Sequence, residues 1–320
     1  MTRLLATFCF LLASGACFAQ APDYPSKPVR FIVPYAPGGS SDVLARTVGQ
    51  KLADSMGQPF VVDNRPGAGS MVGTEVLAKS APDGYTIILS DMPHSIVPSL
   101  NPKVPYDAVK DFQPVSVIGF SPMFLFVNPS FEAKSVKELI AMAKAKPGTL
   151  PIASGGNGAT THLVAELLQA SAGIKLTHVP YKGAGPAIAD VVAGQVPITF
   201  TSMATAAPFV KSGKLRILGV TSAKRLAAFP DVPTFDELGL GGLSFEHWWG
   251  IIAPARTPAA VISKLHGEIV KALAAPDVRE RFSNLAVEPR TNTPEQFRAL
   301  IESDLNRWAR VVRDAGIKPE

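Results

Sequence analysis

Two stretches of this sequence combine glycine with hydroxyl side chains in a pattern that can hold an anion. The first reads Pro37, Gly38, Gly39, Ser40, Ser41, Asp42; the second reads Ser154, Gly155, Gly156, Asn157, Gly158, Ala159, Thr160, Thr161, His162. Each follows a β-rich run and precedes an amphipathic stretch, so each is a loop that leaves a strand and opens a helix. Glycine lets the backbone turn until several N–H groups point outward, the helix N-terminus adds partial positive charge, and the hydroxyls add donors. Neither loop contains Lys or Arg. A carboxylate held there meets mainly neutral donors, which suits reversible exchange. The hydroxyls have a second possible use, because Ser40, Ser41, Thr160 and Thr161 can simply cap the helices they precede.

The catalytic patterns fare worse. The sequence has no Gly-x-Ser-x-Gly elbow, no His-Glu-x-x-His pair and no Walker lysine motif. Gly67, Gly69 and Gly73 follow a strand in the manner of a dinucleotide fingerprint with Asp91 further on, but their spacing is Gly-x-Gly-x-x-x-Gly. His94, His162, His178, His247 and His266 show no metal-ligand spacing, so neither a metal nor a cofactor is expected. The enzyme reading that survives is a secreted hydrolase of a small carboxylate ester or amide, with Ser40 or Ser154 as nucleophile.

The elements that must position these loops alternate between strand and helix, the signature of parallel sheets covered by helices. A strand over Val29 to Pro34, a helix from about Asp42, a strand over Phe60 to Asp63, a helix from about Ser70 and a strand over Tyr85 to Ser90 make one βαβαβ half. The order recurs with strands over Leu150 to Ser154, Leu176 to Tyr181 and Val196 to Thr201. Even the second loops match: Arg65, Pro66, Gly67, Ala68, Gly69, Ser70 against Tyr181, Lys182, Gly183, Ala184, Gly185, Pro186. Two similar half-units imply two similar domains, with ligand at the carboxyl ends of the strands. The tail adds a helix after Thr257 and Pro258, read as N-cap and N1, and another opened by the capping box Thr293 to Gln296. The latter carries Phe297, Leu300, Ile301, Leu305, Trp308 and Val312 as its apolar stripe.

The 320 residues, 47% of them hydrophobic, can bury two cores. The 31 cations and 26 acids are interspersed, giving a formal charge of +5 and no basic run, which argues against nucleic acid. At the N-terminus Arg3 precedes an apolar run from Leu4 to Ala13 and small residues up to Ala19, which reads as a secretory signal over residues 1–19. The run is well short of the roughly 20 residues a membrane span needs. Cleavage after Ala19 would remove both cysteines, Cys9 and Cys17, so the mature fold rests on packing alone. A competing reading takes Ser14 to Cys17 as a lipobox with Cys17 acylated, although it lacks the usual leucine.

Further motifs carry a family likeness. Tyr24 to Pro28, Val33 to Gly39, Asn64 to Gly69, Pro82 to Tyr85, Pro105 to Asp107, His178 to Gly183, Pro230 to Thr234, Trp248 to Gly250 and Ala253, Pro254 follow one another through the chain. Together they resemble the Bug, or tripartite tricarboxylate transporter, solute-binding family. The resemblance implies an α/β type II periplasmic-binding-protein fold: two Rossmann-like lobes joined by two hinge strands, lobe 1 over 22–121 plus 250–320 and lobe 2 over 122–249. It also implies a periplasmic, monomeric receptor for a small organic acid, served by a large and a small membrane subunit, though members are often encoded without transporter genes. Carried onto this chain, the grip falls to Gly39, Ser40 and Ser41 on one side and Ser154, Asn157, Gly158 and Thr161 on the other, with Tyr35 and Ala68 lining the cleft. Trp248, Trp249 and Met92 are candidates for an apolar wall, and Asp91 is the candidate partner for a ligand ammonium. The export reading predicts a mature protein that begins near Gln20 and lacks a thiol. Intact mass spectrometry of periplasmic material checks this, and a diacylglyceryl mass on Cys17 would overturn it.

Overall fold

A computed structural model describes residues 24–101 and 103–317. The signal-peptide and lipobox readings fall on residues outside those described. The chain builds β1 (Val29–Val33), α1 (Ser40–Met56), β2 (Phe60–Asn64), α2 (Met71–Ala78), β3 (Thr86–Asp91), α3 (Pro93–Leu100) and the long β4 (Phe112–Ser121). It continues with β5 (Phe124–Val127), α4 (Val136–Ala145), β6 (Pro151–Ser154), α5 (Thr160–Ala172), β7 (Thr177–Pro180), α6 (Ala184–Val192), β8 (Ile198–Thr201), α7 (Met203–Lys211) and β9 (Arg216–Val220). It closes with β10 (His247–Pro254), α8 (Ala259–Ala274), α9 (Pro276–Asn284), the short β11 (Glu288–Pro289) and α10 (Pro294–Asp314).

These strands form two sheets, ordered β11-β4-β10-β3-β1-β2 and β7-β6-β8-β5-β9. The repeated half-units are visible as β3-β1-β2 and β8-β6-β7, each with its first strand in the middle and parallel to both neighbours. Antiparallel strands then extend each sheet: β10 beside β3, and β5 beside β8. The chain crosses from the first sheet to the second between Ser121 and Phe124 and returns between Val220 and His247. The result is the two-lobed α/β architecture of periplasmic binding proteins. Strands such as Ile87 to Leu89 are buried on both faces, as parallel sheets covered by helices require.

The tail helices cover the first sheet, α10 against α3 and β4, and α8 against α1 and β4. The capping box is present: the Thr293 side chain accepts from the Gln296 amide while the Gln296 side chain accepts from the Thr293 amide. Along α10 the buried positions are Phe297, Ile301, Asp304, Trp308 and Val312, whereas Leu300 and Leu305 lie at the margin. The acid inside this stripe is explained by Trp248, whose indole Nε1 donates to Asp304 Oδ2 at 2.8 Å. Thr257 does not cap α8. Its hydroxyl donates to the Pro254 carbonyl at 2.7 Å, and Pro258 takes the N-cap position.

On β10, Gly250 lies under the Phe297 ring, and a Cβ there would overlap ring carbon Cζ and stand 3.1 Å from the Ser116 carbonyl. Gly250→Ala should therefore destabilise the fold by about 1–3 kcal/mol, the range for overpacking. Urea denaturation checks this, with the midpoint falling at unchanged slope.

Candidate functional site

The loop from Pro37 to Gly39 is braced before it reaches the cleft. Asp42 accepts from the Gly38 amide at 3.1 Å, from Arg46 at 2.9 and 3.1 Å and from Asn64 Nδ2 at 3.1 Å. Asn64 Nδ2 also donates to the Tyr35 carbonyl at 2.9 Å. Burial alone would raise the Asp42 pKa, but these bonds outweigh it and hold the carboxyl below its ordinary value. Gly38 carries the left-handed turn at φ 86°, while Gly39 is extended at φ −81°. A Cβ at position 39 would stand 3.5 Å from Gly185 N and 3.7 Å from Ala184 Cβ, ordinary van der Waals contact, so neither backbone nor a clash demands glycine there, and only a longer side chain would press on α6.

The opposing loop is braced by its own hydroxyls. Thr161 Oγ1 accepts from the Gly155 amide at 2.7 Å and Ser154 Oγ from the Gly156 amide at 3.1 Å. Ser154 Oγ also lies 2.5 Å from His178 Nε2, and His178 stacks on His162 at 4.1 Å. Burial, then the neighbouring His178, pushes the His162 pKa down to about 4.

The two lobes meet at backbone distance. The Ala36 amide donates to the Lys182 carbonyl at 2.9 Å, and the Ser40 amide to Thr205 Oγ1 at 2.9 Å. A Cβ on Gly185 would overlap the Pro37 carbonyl, and one on Gly69 would overlap the Asn157 carbonyl. Between the lobes remains a cavity of about 40 Å³, room on the order of three waters. Its wall includes Gly39 to Ser41, Pro93, Ala159 to Thr161, Ala184 and Ser202, which places the N-terminal ends of α1, α3, α5, α6 and α7 around one small space. No Lys or Arg lies in that wall.

Of the expected site residues, Tyr35, Gly39, Ser40, Ser41, Asp91 and Thr161 line this cavity. Ala68 and Asn157 instead line an adjoining cavity of about 250 Å³ that shares Tyr35 and Gly155 with the first and includes Lys182. Gly158 faces Val97, with a Cβ position 3.1 Å from Cγ2. Ser154 is fully buried and shapes its loop rather than lining the cavity. Trp248 points away into the core beneath α10, beside Phe297 at 5.3 Å. Its neighbour Trp249 lines the cavity and donates from Nε1 to Ser41 Oγ at 3.2 Å. Met92 is likewise core, and Met123 is the methionine of the wall. Sequence reasoning passed over Thr201, Ser202 and Thr205 and weighed His247 only as a metal ligand; the hydroxyl-rich start of α7 could have marked the first three, while nothing local marks His247.

At one side of the cavity Thr160 Oγ1 lies 3.0 Å from His247 Nδ1, and His247 Nε2 lies 3.7 Å from Asp91 Oδ2. The trio has the order of a nucleophile, base and acid but not the chemistry. The His–Asp gap exceeds a hydrogen bond, and burial pushes the His247 pKa down to about 3, far too weak a base near neutrality. Among the described residues no cluster of His, Cys, Asp or Glu could hold a metal ion.

A two-lobed fold with glycine loops and helix N-termini closing on a small cavity defines a solute-binding receptor. Comparison with known proteins places it further. Residues 44–317 match the family model described as "Tripartite tricarboxylate transporter family receptor". The chain is 41% identical to Protein BugT of Bordetella pertussis over 99% of both chains. Among solved structures it is similar to periplasmic binding protein BugD, with TM-score 0.90 and 33% identity over 93% of this chain and all of that one. It is similar also to R. palustris Rpa4515 with adipate, with TM-score 0.89 and 32% identity over the same shares. The chain belongs to the tripartite tricarboxylate transporter receptor family. The hydrolase reading finds no support there.

Asp91 gives the site a measurable pH signature. Burial pushes its pKa from the ordinary 3.8 up to about 7, against the hydrogen bonds from Tyr35 and Ser41 that lower it. The folded protein therefore holds this proton up to about pH 7 while the unfolded chain releases it near 4, so the stability it contributes is lost as pH rises through that window. His247 works oppositely: it is neutral in the fold and protonated in the unfolded chain between about 3 and 6.5, so its contribution grows with pH. Asp91→Asn removes the first effect alone. The melting temperature of the variant minus that of the native protein should rise between pH 4 and 7; a constant difference would mean that Asp91 is already ionised in the empty fold.

Proposed function

We propose that this chain is an exported receptor that closes over the carboxylate of a small organic acid and delivers it to a membrane partner. The observation that carries this reading is the convergence of five helix N-termini on one small cavity with no cation in its wall. Each such end offers unpaired amides and partial positive charge to an anion. The adipate bound to the relative at 32% identity supports a carboxylate as the ligand class. Gly39, Ser40, Ser41 and Thr161 hold the carboxylate, while Tyr35 and Trp249 form the wall. Ala68, Asn157 and Gly158 take part only through the adjoining loops.

In this reading the lobes divide at residues 22–121 plus 250–320 and 122–249, and they rock about the two crossings between the sheets. The signal over residues 1–19 sends the chain to the periplasm as a monomer. A large and a small membrane subunit receive the cargo. No helix among the described residues is long and apolar enough to cross a membrane.

Closure is the step to test. With a ligand at 100 times its Kd, binding should add about 2.7 kcal/mol of stability and shrink the radius of gyration in small-angle scattering. Ser41→Ala or Thr161→Ala should weaken binding by about 1–3 kcal/mol. Gly185→Ala is the sharper variant: alanine suits α6 better than glycine by about 1 kcal/mol, yet its methyl collides with Pro37 as the lobes close. That variant should keep its fold, lose at least tenfold in affinity and show no ligand-induced compaction. Unchanged compaction would contradict closure.

A further inference from the structure

We infer that the cleft is built for an α-amino acid, with Asp91 as the seat of its ammonium group; this rests on the carboxylate-capture reading above. Asp91 lines the cavity and is only 4% exposed. Its Oδ1 accepts from Tyr35 at 2.9 Å, but Oδ2 has only Ser41 Oγ at 3.3 Å and the neutral His247 ring at 3.7 Å. No Lys or Arg of the described residues pairs with it. The two other buried acids are provided for: Asp42 holds Arg46, and Asp304 holds the Trp248 indole. A buried carboxylate without a cation is costly, and a cation brought by the ligand relieves that cost.

Charge and spacing narrow the ligand further. A plain dicarboxylate would bring Asp91 no cation, in a wall without Lys or Arg, whereas an ammonium group lets it ionise and pairs with it. Ser41 sits in the first turn of α1, where the ligand carboxylate docks, and its hydroxyl is 3.3 Å from Asp91 Oδ2. The anion seat and the cation seat are therefore adjacent. Two charges carried on one carbon fit that spacing; charges at opposite ends of a long chain do not. The nearest further space for a side chain is the cavity of about 250 Å³ on the other side of Tyr35 and Gly155, which line both.

Calorimetry on matched pairs that differ only in ammonium against hydroxyl tests this directly: L-alanine and L-lactate, L-leucine and L-2-hydroxyisocaproate, L-glutamate and L-2-hydroxyglutarate. In every pair that binds, the amino member should bind at least tenfold more tightly, N-acetylation of it should remove the advantage, and Asp91→Asn should bring the pair to within about threefold. If the hydroxy acids, or adipate and succinate, bind the native protein as tightly as the amino acids, the inference is overturned while carboxylate capture stands. If no carboxylate of the panel binds, both fall. The native-protein comparison and the N-acetyl probe decide the matter even if Asp91→Asn proves unstable.

Discussion

The lobes of this receptor close on one another through main chain, and the rest of the site depends on that approach. Pro37 lies against Gly185, and Gly69 against Asn157, at distances that leave no room for a Cβ. The seam bond from Ala36 to Lys182 needs the same proximity. Only when the backbones touch do helix ends from both lobes surround one space, and only then does Thr160, which follows β6 of the second sheet, reach His247 on β10 of the first. A single methyl at the seam would open the cavity to water and let solvent compete for every donor.

The electrostatics follow from the same enclosure. His94, His162 and His247 all have pKa values pushed well below the ordinary imidazole range, with burial as the chief cause. The cations that brace the first lobe, Arg46 on Asp42 and Arg30 on Asp63, remain partly exposed at its surface. An arriving anion therefore meets fixed dipoles instead of mobile side-chain charges. Such dipoles act over about one helical turn and need no rearrangement when the ligand leaves.

Much of this was legible in the sequence, and the limits are physical. The two half-units and their Gly-rich loops follow from hydrophobic period and turn chemistry, and the matching strand orders bear out the repeat. Loop composition could not separate hydroxyls that face the cavity from hydroxyls that shape the loop: Ser41 and Thr161 line it, whereas Ser154 turns inward to Gly156 and His178. Nor could it choose between Trp248 and Trp249. Adjacent residues of a strand point to opposite faces, and which face looks into the cleft is fixed by pairing with β3 and β4, which no local signal encodes. Thr205 was out of reach for another reason, since its role is to meet an amide of the other lobe.

β10 is a partition one residue thick. On its cleft side His247 and Trp249 pack edge to face at 4.4 Å, and on its far side Trp248 is locked by Asp304 and Phe297 of the longest helix. A change to either indole is transmitted through the shared backbone to the opposite compartment, so this wall cannot drift without disturbing the core behind it. The side chains of Ala68, Asn157 and Lys182 at the rim are exposed and have no such backing, although their loops carry the main-chain seam. A change of side chain at those rim positions therefore alters the entrance of the cleft without reaching the core behind β10.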